Sequence, residues 1–136
     1  MTPGEARARF ASAPVARLAT VTPDGRPHLV PVTFALDGDT IYTAIDAKPK
    51  RGTPLRRLTN IAANPRVTLL VDEYDEDWSR LWWVRADGVA SVEAIGPKAL
   101  VLLRDRYEQY GAVELTGPVI VVRVDRWLGW LADRRS

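Results

Sequence analysis

Residues 15–45 read VARLATVTPDGRPHLVPVTFALDGDTIYTAI. Apolar, β-branched and aromatic residues dominate Val15–Val21, His28–Leu36 and Thr40–Ile45. Between these runs lie Pro23-Asp24-Gly25 and Asp37-Gly38-Asp39, residues that supply the backbone angles of tight turns. The stretch predicts three strands joined as a meander, the first two forming a hairpin.

On the N-terminal side, Thr2-Pro3-Gly4-Glu5 has the spacing of a capping box with proline at the first helical position, so a short helix is expected to about Phe10, ended by Pro14. On the C-terminal side, Thr53-Pro54 repeats the N-cap and first-turn signature. Leu55, Leu58, Ile61 and Ala62 then recur at helical spacing until Asn64-Pro65. Arg66–Asp72 reads as a strand. Leu81–Ile95 reads as one long or two short strands with Gly88 at a bulge or bend. Leu100, Leu103, Tyr107 and Tyr110 stripe a helix from Pro97 to Gly111, and Pro118–Asp125 is a last strand. No repeat, linker or low-complexity tract divides residues 1–136, which read as a single domain. The expected fold class is mainly β, a β-rich α+β barrel of six or seven antiparallel strands with two or three helices at its openings.

Composition narrows the chemistry. The chain has 136 residues, 46% apolar and 26% charged, as in soluble globular proteins. No apolar stretch approaches the roughly 18 residues of a membrane span, and the N-terminus lacks a signal peptide's apolar core, so a cytoplasmic location is expected. There is no cysteine and one histidine, His28, which excludes thiolate nucleophiles, sulfur-based zinc sites and His-rich metal sites. Redox or group-transfer chemistry would need a borrowed cofactor. A net charge of +2 does not demand nucleic acid.

Lys48, Lys50, Arg51, Arg56 and Arg57 surround Thr53-Pro54. Free first-turn N–H groups, the positive end of a helix dipole and arginine forks would converge there on an anion. Without an anion, the arginines simply solvate the helix. Asp72, Glu73, Asp75, Glu76 and Asp77 fit no calcium loop and read as a solvated segment, with no metal expected. Alternation puts Trp82 and Trp83 on opposite strand faces, so one of them can flank a planar ligand or a subunit interface. His28 can donate to a cofactor ring or protonate a product, although a lone strand histidine is more often only a satisfied polar group. Trp127 and Trp130 carry no assigned chemistry.

Leu18-Ala19-Thr20-Val21, Asp24-Gly25-Arg26-Pro27-His28, Ile41-Tyr42-Thr43 and Asn60-Ile61-Ala62-Ala63-Asn64-Pro65-Arg66-Val67, taken in order, resemble the FMN-binding split β-barrel superfamily of pyridoxamine 5′-phosphate oxidase-like proteins. The segment Val71–Gly88, with Trp78-Ser79 inside it, resembles the actinobacterial branch that uses the deazaflavin coenzyme F420. The resemblance implies a homodimer with its cofactor sites at the subunit interface. Lys50, Arg51 and Arg57 would contact the cofactor phosphate near Thr53, and the regions around His28 and Thr43 would line the ring. Trp78 and Ser79 would approach from the partner. The implied activity is hydride transfer between deazaflavin C5 and an unsaturated small-molecule substrate, without a catalytic side chain of the protein's own. The alternatives are an FMN enzyme of the pyridoxamine-phosphate-oxidase type, or a non-catalytic protein that binds a cofactor or haem, with His28 as the available haem ligand.

Overall fold

The computed structural model describes residues 1–45, 55–111, 115 and 117–132. The elements run α1 (Pro3–Ser12), β1 (Ala16–Val21), β2 (Pro27–Val32), β3 (Ala35–Asp37), β4 (Thr40–Ala44), α2 (Arg56–Ala63), β5 (Arg66–Glu73), β6 (Trp82–Ala94), α3 (Pro97–Arg106) and β7 (Pro118–Leu131). Short 3-10 turns lie at Trp78–Arg80 and Glu108–Gly111. The Thr2 capping box forms with both of its hydrogen bonds. Gly25 and Gly38 take the positive φ angles that the two expected turns require, 87° and 60°. Among the described residues no helix is long and apolar enough to cross a membrane.

The seven antiparallel strands form one open sheet in the order β2-β1-β5-β6-β7-β4-β3, which corrects the expected barrel. The expected His28–Leu36 strand is broken at Thr33 and Phe34, and its two halves become the two edges of the sheet. The hairpin of β1 and β2 is therefore present, but the three-strand meander is not: β4 pairs with β3 and β7, never with β2. Two linking residues span at most about 10 Å, so the sheet curls strongly to bring its edges this near. Among the described residues no ladder closes them. The Phe34 N–H, a donor available for such a ladder, goes instead to the Tyr107 hydroxyl at 2.9 Å, and the Thr33 and Tyr110 hydroxyls pair at 2.6 Å. Pro27 and Pro31 share one side of β2 and lack N–H groups, which suits an edge strand that nothing extends.

The interior of the curl holds Phe10, Leu18, Phe34, Ile41, Leu69, Val71, Val84, Ile120 and Val122, all fully buried. Phe10 brings α1 onto this core, 4.8 Å from the Phe34 ring and 5.3 Å from Trp127. A second cluster under α3 joins Leu103 and Tyr110 to Ala35 and Ala44. β7 extends six residues beyond the expected Asp125, to Leu131. Of the bulge or bend expected at Gly88, the structure has a bulge, seen as a register shift: Asp87 pairs with Arg126, but Gly88 pairs with Val124. The extra residue is thus Asp125 on β7. It reverses which side chains of β7 face inward, and so turns Trp127 onto the core.

Asp39 ties the β3–β4 turn to two other elements. Its carboxylate accepts from Trp127 Nε1 at 2.8 Å and from Arg7 of α1 at 3.0 Å. The Trp127 N–H, then Arg7, hold this carboxyl below its ordinary value of 3.8. A depressed carboxyl contributes stability that is complete above the unfolded value and disappears as pH falls through the folded one. Denaturant titrations across a pH series should therefore show Asp39→Asn with a shallower loss of stability than the parent below about pH 4. Phe34→Ala, which empties the centre of the core, is expected to cost about 3–5 kcal/mol in the same assay at neutral pH.

Candidate functional site

α2 begins at Arg56 behind Leu55, which offers no side-chain cap, and its first turn contains no acidic residue. The N-cap expected at Thr53 is not the start of the described helix, and Thr53 itself lies outside the described residues, as do Lys48, Lys50 and Arg51. The first turn of a helix presents the positive end of its dipole. Arg56 is exposed and its charge acts on Asp24 of the β1–β2 turn. That carboxyl is held below its ordinary value mainly by the Thr22 hydroxyl, with Arg26 and Arg56 adding to the effect. Arg57 is half-buried and lines a different place.

That place is a recess of about 230 Å³ lined by Pro31, Val32, Thr33, Thr43, Ala44, Arg57 and Tyr110. It brings together Arg57 and Thr43, two of the residues singled out in the sequence, with the end of the His28–Thr33 stretch. Lys50, Arg51 and Thr53 fall in the sequence between Ala44 of β4 and Arg57 of α2, which both line this recess. Tyr110 and Tyr107 were legible only as an apolar helical stripe. Their rings do pack edge to face, 5.6 Å apart, but their hydroxyls hold the recess wall. Burial pushes the Tyr107 phenol above its ordinary value, so it remains a neutral hydrogen-bonding group at physiological pH.

His28 lies outside this recess. It sits opposite Thr20 in the β1–β2 ladder and therefore on the inward face, half-buried, with Nδ1 shielded from solvent and without a hydrogen-bond partner among the described residues. Beside it, the fully buried Asn60 of α2 donates through Nδ2 to Thr20 Oγ1 at 2.9 Å, fixing α2 against β1. Asn60 Oδ1 has no partner among the described residues. The sequence marked Asn60 only as part of a motif, and its polar character before an apolar residue was the signal for this buried contact.

Trp78 and Ser79 are also elsewhere. Trp78 is 77% exposed, and Ser79 is held by Asp77, whose Oδ1 accepts from the Ser79 N–H at 3.1 Å and hydroxyl at 2.7 Å. The acidic segment thus organises its own turn. Thr43 pairs with Ile120, which pairs in turn with Val92, ten residues along β6 from Trp82. At about 3.3 Å per residue, Val92 and Trp82 are about 33 Å apart along β6, so the Trp78 turn and the Arg57 recess lie toward opposite ends of that strand.

Known structures share this architecture. A conserved hypothetical protein from Mycobacterium tuberculosis superposes with a TM-score of 0.75 at 24% identity, over 96% of this chain and 84% of its own. A haem-binding protein from Mycobacterium smegmatis gives 0.77 at 24% identity, over 98% of this chain and 55% of its own. A FAD-binding protein from Mesorhizobium loti gives 0.69 at 21% identity, over 95% and 94%. Identities this low establish the fold alone. The curated proteins contain no match to the chain. The family model described as pyridoxamine 5′-phosphate oxidase, however, matches residues 2–130, nearly the whole sequence, and the chain belongs to that family.

Proposed function

We propose that this protein binds a phosphate-bearing flavin of the FMN class and positions it for redox chemistry on a small molecule. The observation that carries this reading is Arg57: a half-buried side chain in the first turn of α2 that lines a recess whose other polar walls are Thr33, Thr43 and Tyr110. These groups suit a phosphate and the hydroxyls of a ribityl chain. Lys50, Arg51 and Thr53 lie in sequence between β4 and α2, near enough along the chain to extend the proposed anion contacts. The volume of about 230 Å³ is below the roughly 300–1,000 Å³ of pockets that enclose a whole small ligand. One chain therefore anchors an end of the cofactor, and a homodimer with shared sites supplies the rest, Trp78 and Ser79 of the partner included. A bound flavin supplies the hydride or electron chemistry. The chain's own residues bind it, orient it and exclude water.

Family membership and the FAD-binding relative support a flavin nucleotide. Coenzyme F420, which the Val71–Gly88 segment suggests, shares the phosphate and ribityl groups and would use the same anchor. Haem is the second reading, favoured by the likeness to the mycobacterial haem-binding protein. His28 suits it poorly. A ligating histidine normally donates its other ring N–H to an acceptor, whereas the buried Nδ1 of His28 has none among the described residues.

Titration of the purified protein with FMN, F420 and haem, followed by fluorescence and absorbance, separates these readings. FMN is expected to bind at micromolar concentration or tighter, and Arg57→Ala to weaken it by about 1–3 kcal/mol. Tight haem binding abolished by His28→Ala, with no flavin bound, would overturn the proposal.

A further inference from the structure

Tyr110 reaches the Arg57 recess from an element remote in sequence. Its ring belongs to the apolar cluster under α3, with Ala35, Ala44 and Leu103, while its hydroxyl meets the Thr33 hydroxyl at 2.6 Å. Both residues line the recess together with Arg57 and Thr43. Bonds from α3 and the turn after it hold this arrangement from behind. The Tyr107 hydroxyl accepts from the Phe34 N–H at 2.9 Å and donates to the Pro14 carbonyl at 3.0 Å. Arg106 donates to the Ala13 carbonyl, and Arg104 Nε to the Tyr110 carbonyl at 3.3 Å. These contacts fix the backbone on both sides of the pair and leave Tyr110 Oη to Thr33.

Each hydroxyl carries one proton. The Thr33–Tyr110 bond uses one of the two, whichever way it runs, and the other has no acceptor among the described residues. The pair therefore presents one O–H donor to whatever fills the recess. Two orders are open to it, ending on either residue. The order that ends on Tyr110 is the stronger toward an anion, because a phenol donates better than an aliphatic alcohol and a bond accepted from Thr33 polarises it further.

We propose that Tyr110 determines the recess's preference for a phosphorylated ligand, with Thr33 as its positioning residue. Thr33 donates to Tyr110 Oη, and Tyr110 donates to a phosphate oxygen opposite Arg57. The inference rests on the phosphate anchorage proposed above and adds to it a neutral, directional donor. A guanidinium compensates the charge of the anion; a phenol held at one angle selects the position of an oxygen. A ligand that ends in a plain hydroxyl offers this donor only a neutral acceptor, toward which the bond is about half as strong.

The test compares FMN with riboflavin, which lacks the phosphate, on the full chain and on four variants: Arg57→Ala, Tyr110→Phe, Thr33→Val and the double variant of the last two. Tyr110→Phe keeps the ring in its cluster, Thr33→Val keeps the branched shape, and circular dichroism checks that each variant folds. Flavin fluorescence reads affinity. Tyr110→Phe should weaken FMN about tenfold and leave riboflavin at its parental affinity. Thr33→Val should weaken FMN about threefold, with no further loss in the Tyr110→Phe background, since Thr33 acts through the phenol. The ³¹P resonance of bound FMN, recorded at saturation, should move in Tyr110→Phe. An unmoved resonance, an unchanged FMN affinity, or an equal loss for FMN and riboflavin in Tyr110→Phe overturns the proposal. Additive losses in the double variant also overturn it, because Thr33 would then meet the ligand by itself. In all these cases the anchor stands if Arg57→Ala still lowers FMN affinity relative to riboflavin. An unchanged ratio in Arg57→Ala removes both readings.

Discussion

The two residues Thr33 and Phe34 impose the constraint on which the rest of the structure depends. They join β2 to β3, the opposite edges of a seven-stranded sheet, and so compel five intervening strands to curl round a common interior. Phe34 fills that interior. Its ring meets Phe10 and is fully buried, while its backbone N–H is satisfied by a tyrosine rather than by a strand. An N–H at such a crossover must be paired, because leaving a buried donor unmatched costs about 1–3 kcal/mol. The same side-chain bonds that satisfy the crossover leave the two edges unjoined by a ladder.

The candidate site is a consequence of that arrangement. Thr33 at the crossover, Thr43 on β4 and Arg57 on α2 come from three separate pieces of chain, and they meet because the curl brings the β2 edge near β4. Asn60 adds precision by hydrogen-bonding α2 to β1 from a fully buried position. A buried polar contact of this kind fixes one orientation of a short helix, which apolar packing alone would leave able to slide. The direction of Arg57 into the recess, and of Arg56 toward the β1–β2 turn, follows from that orientation.

The bulge in β7 decides a second matter. One extra residue, Asp125, shifts the alternation so that Trp127 faces the core and Trp130 the solvent. Trp127 then closes the contact between Phe10, Asp39 and the sheet. The outward residues of β5 and β6 remain as an apolar and aromatic surface bordered by arginines and aspartates. Surfaces of that composition are met at protein interfaces, where aromatic and arginine side chains are enriched.

By itself the sequence determined those features governed by neighbours a few residues apart. The Thr2 capping box, the Pro23–Gly25 and Asp37–Asp39 turns, the β-rich composition, the apolar stripe of α2 and the ordered motifs of the family are all local patterns. Tertiary structure decided the rest. The run His28–Leu36 has uninterrupted strand propensity, so only long-range pairing to β1 on one side and β4 on the other reveals its break. Openness of the sheet depends on two tyrosines more than seventy residues beyond the crossover they satisfy. The length and facing of β7 depend on a bulge whose extra residue is defined by the partner strand. For the site, charge and helix signals marked the basic junction. Which arginine faces inward was settled by the buried Asn60–Thr20 bond, since adjacent helical residues differ only in the direction that packing gives them.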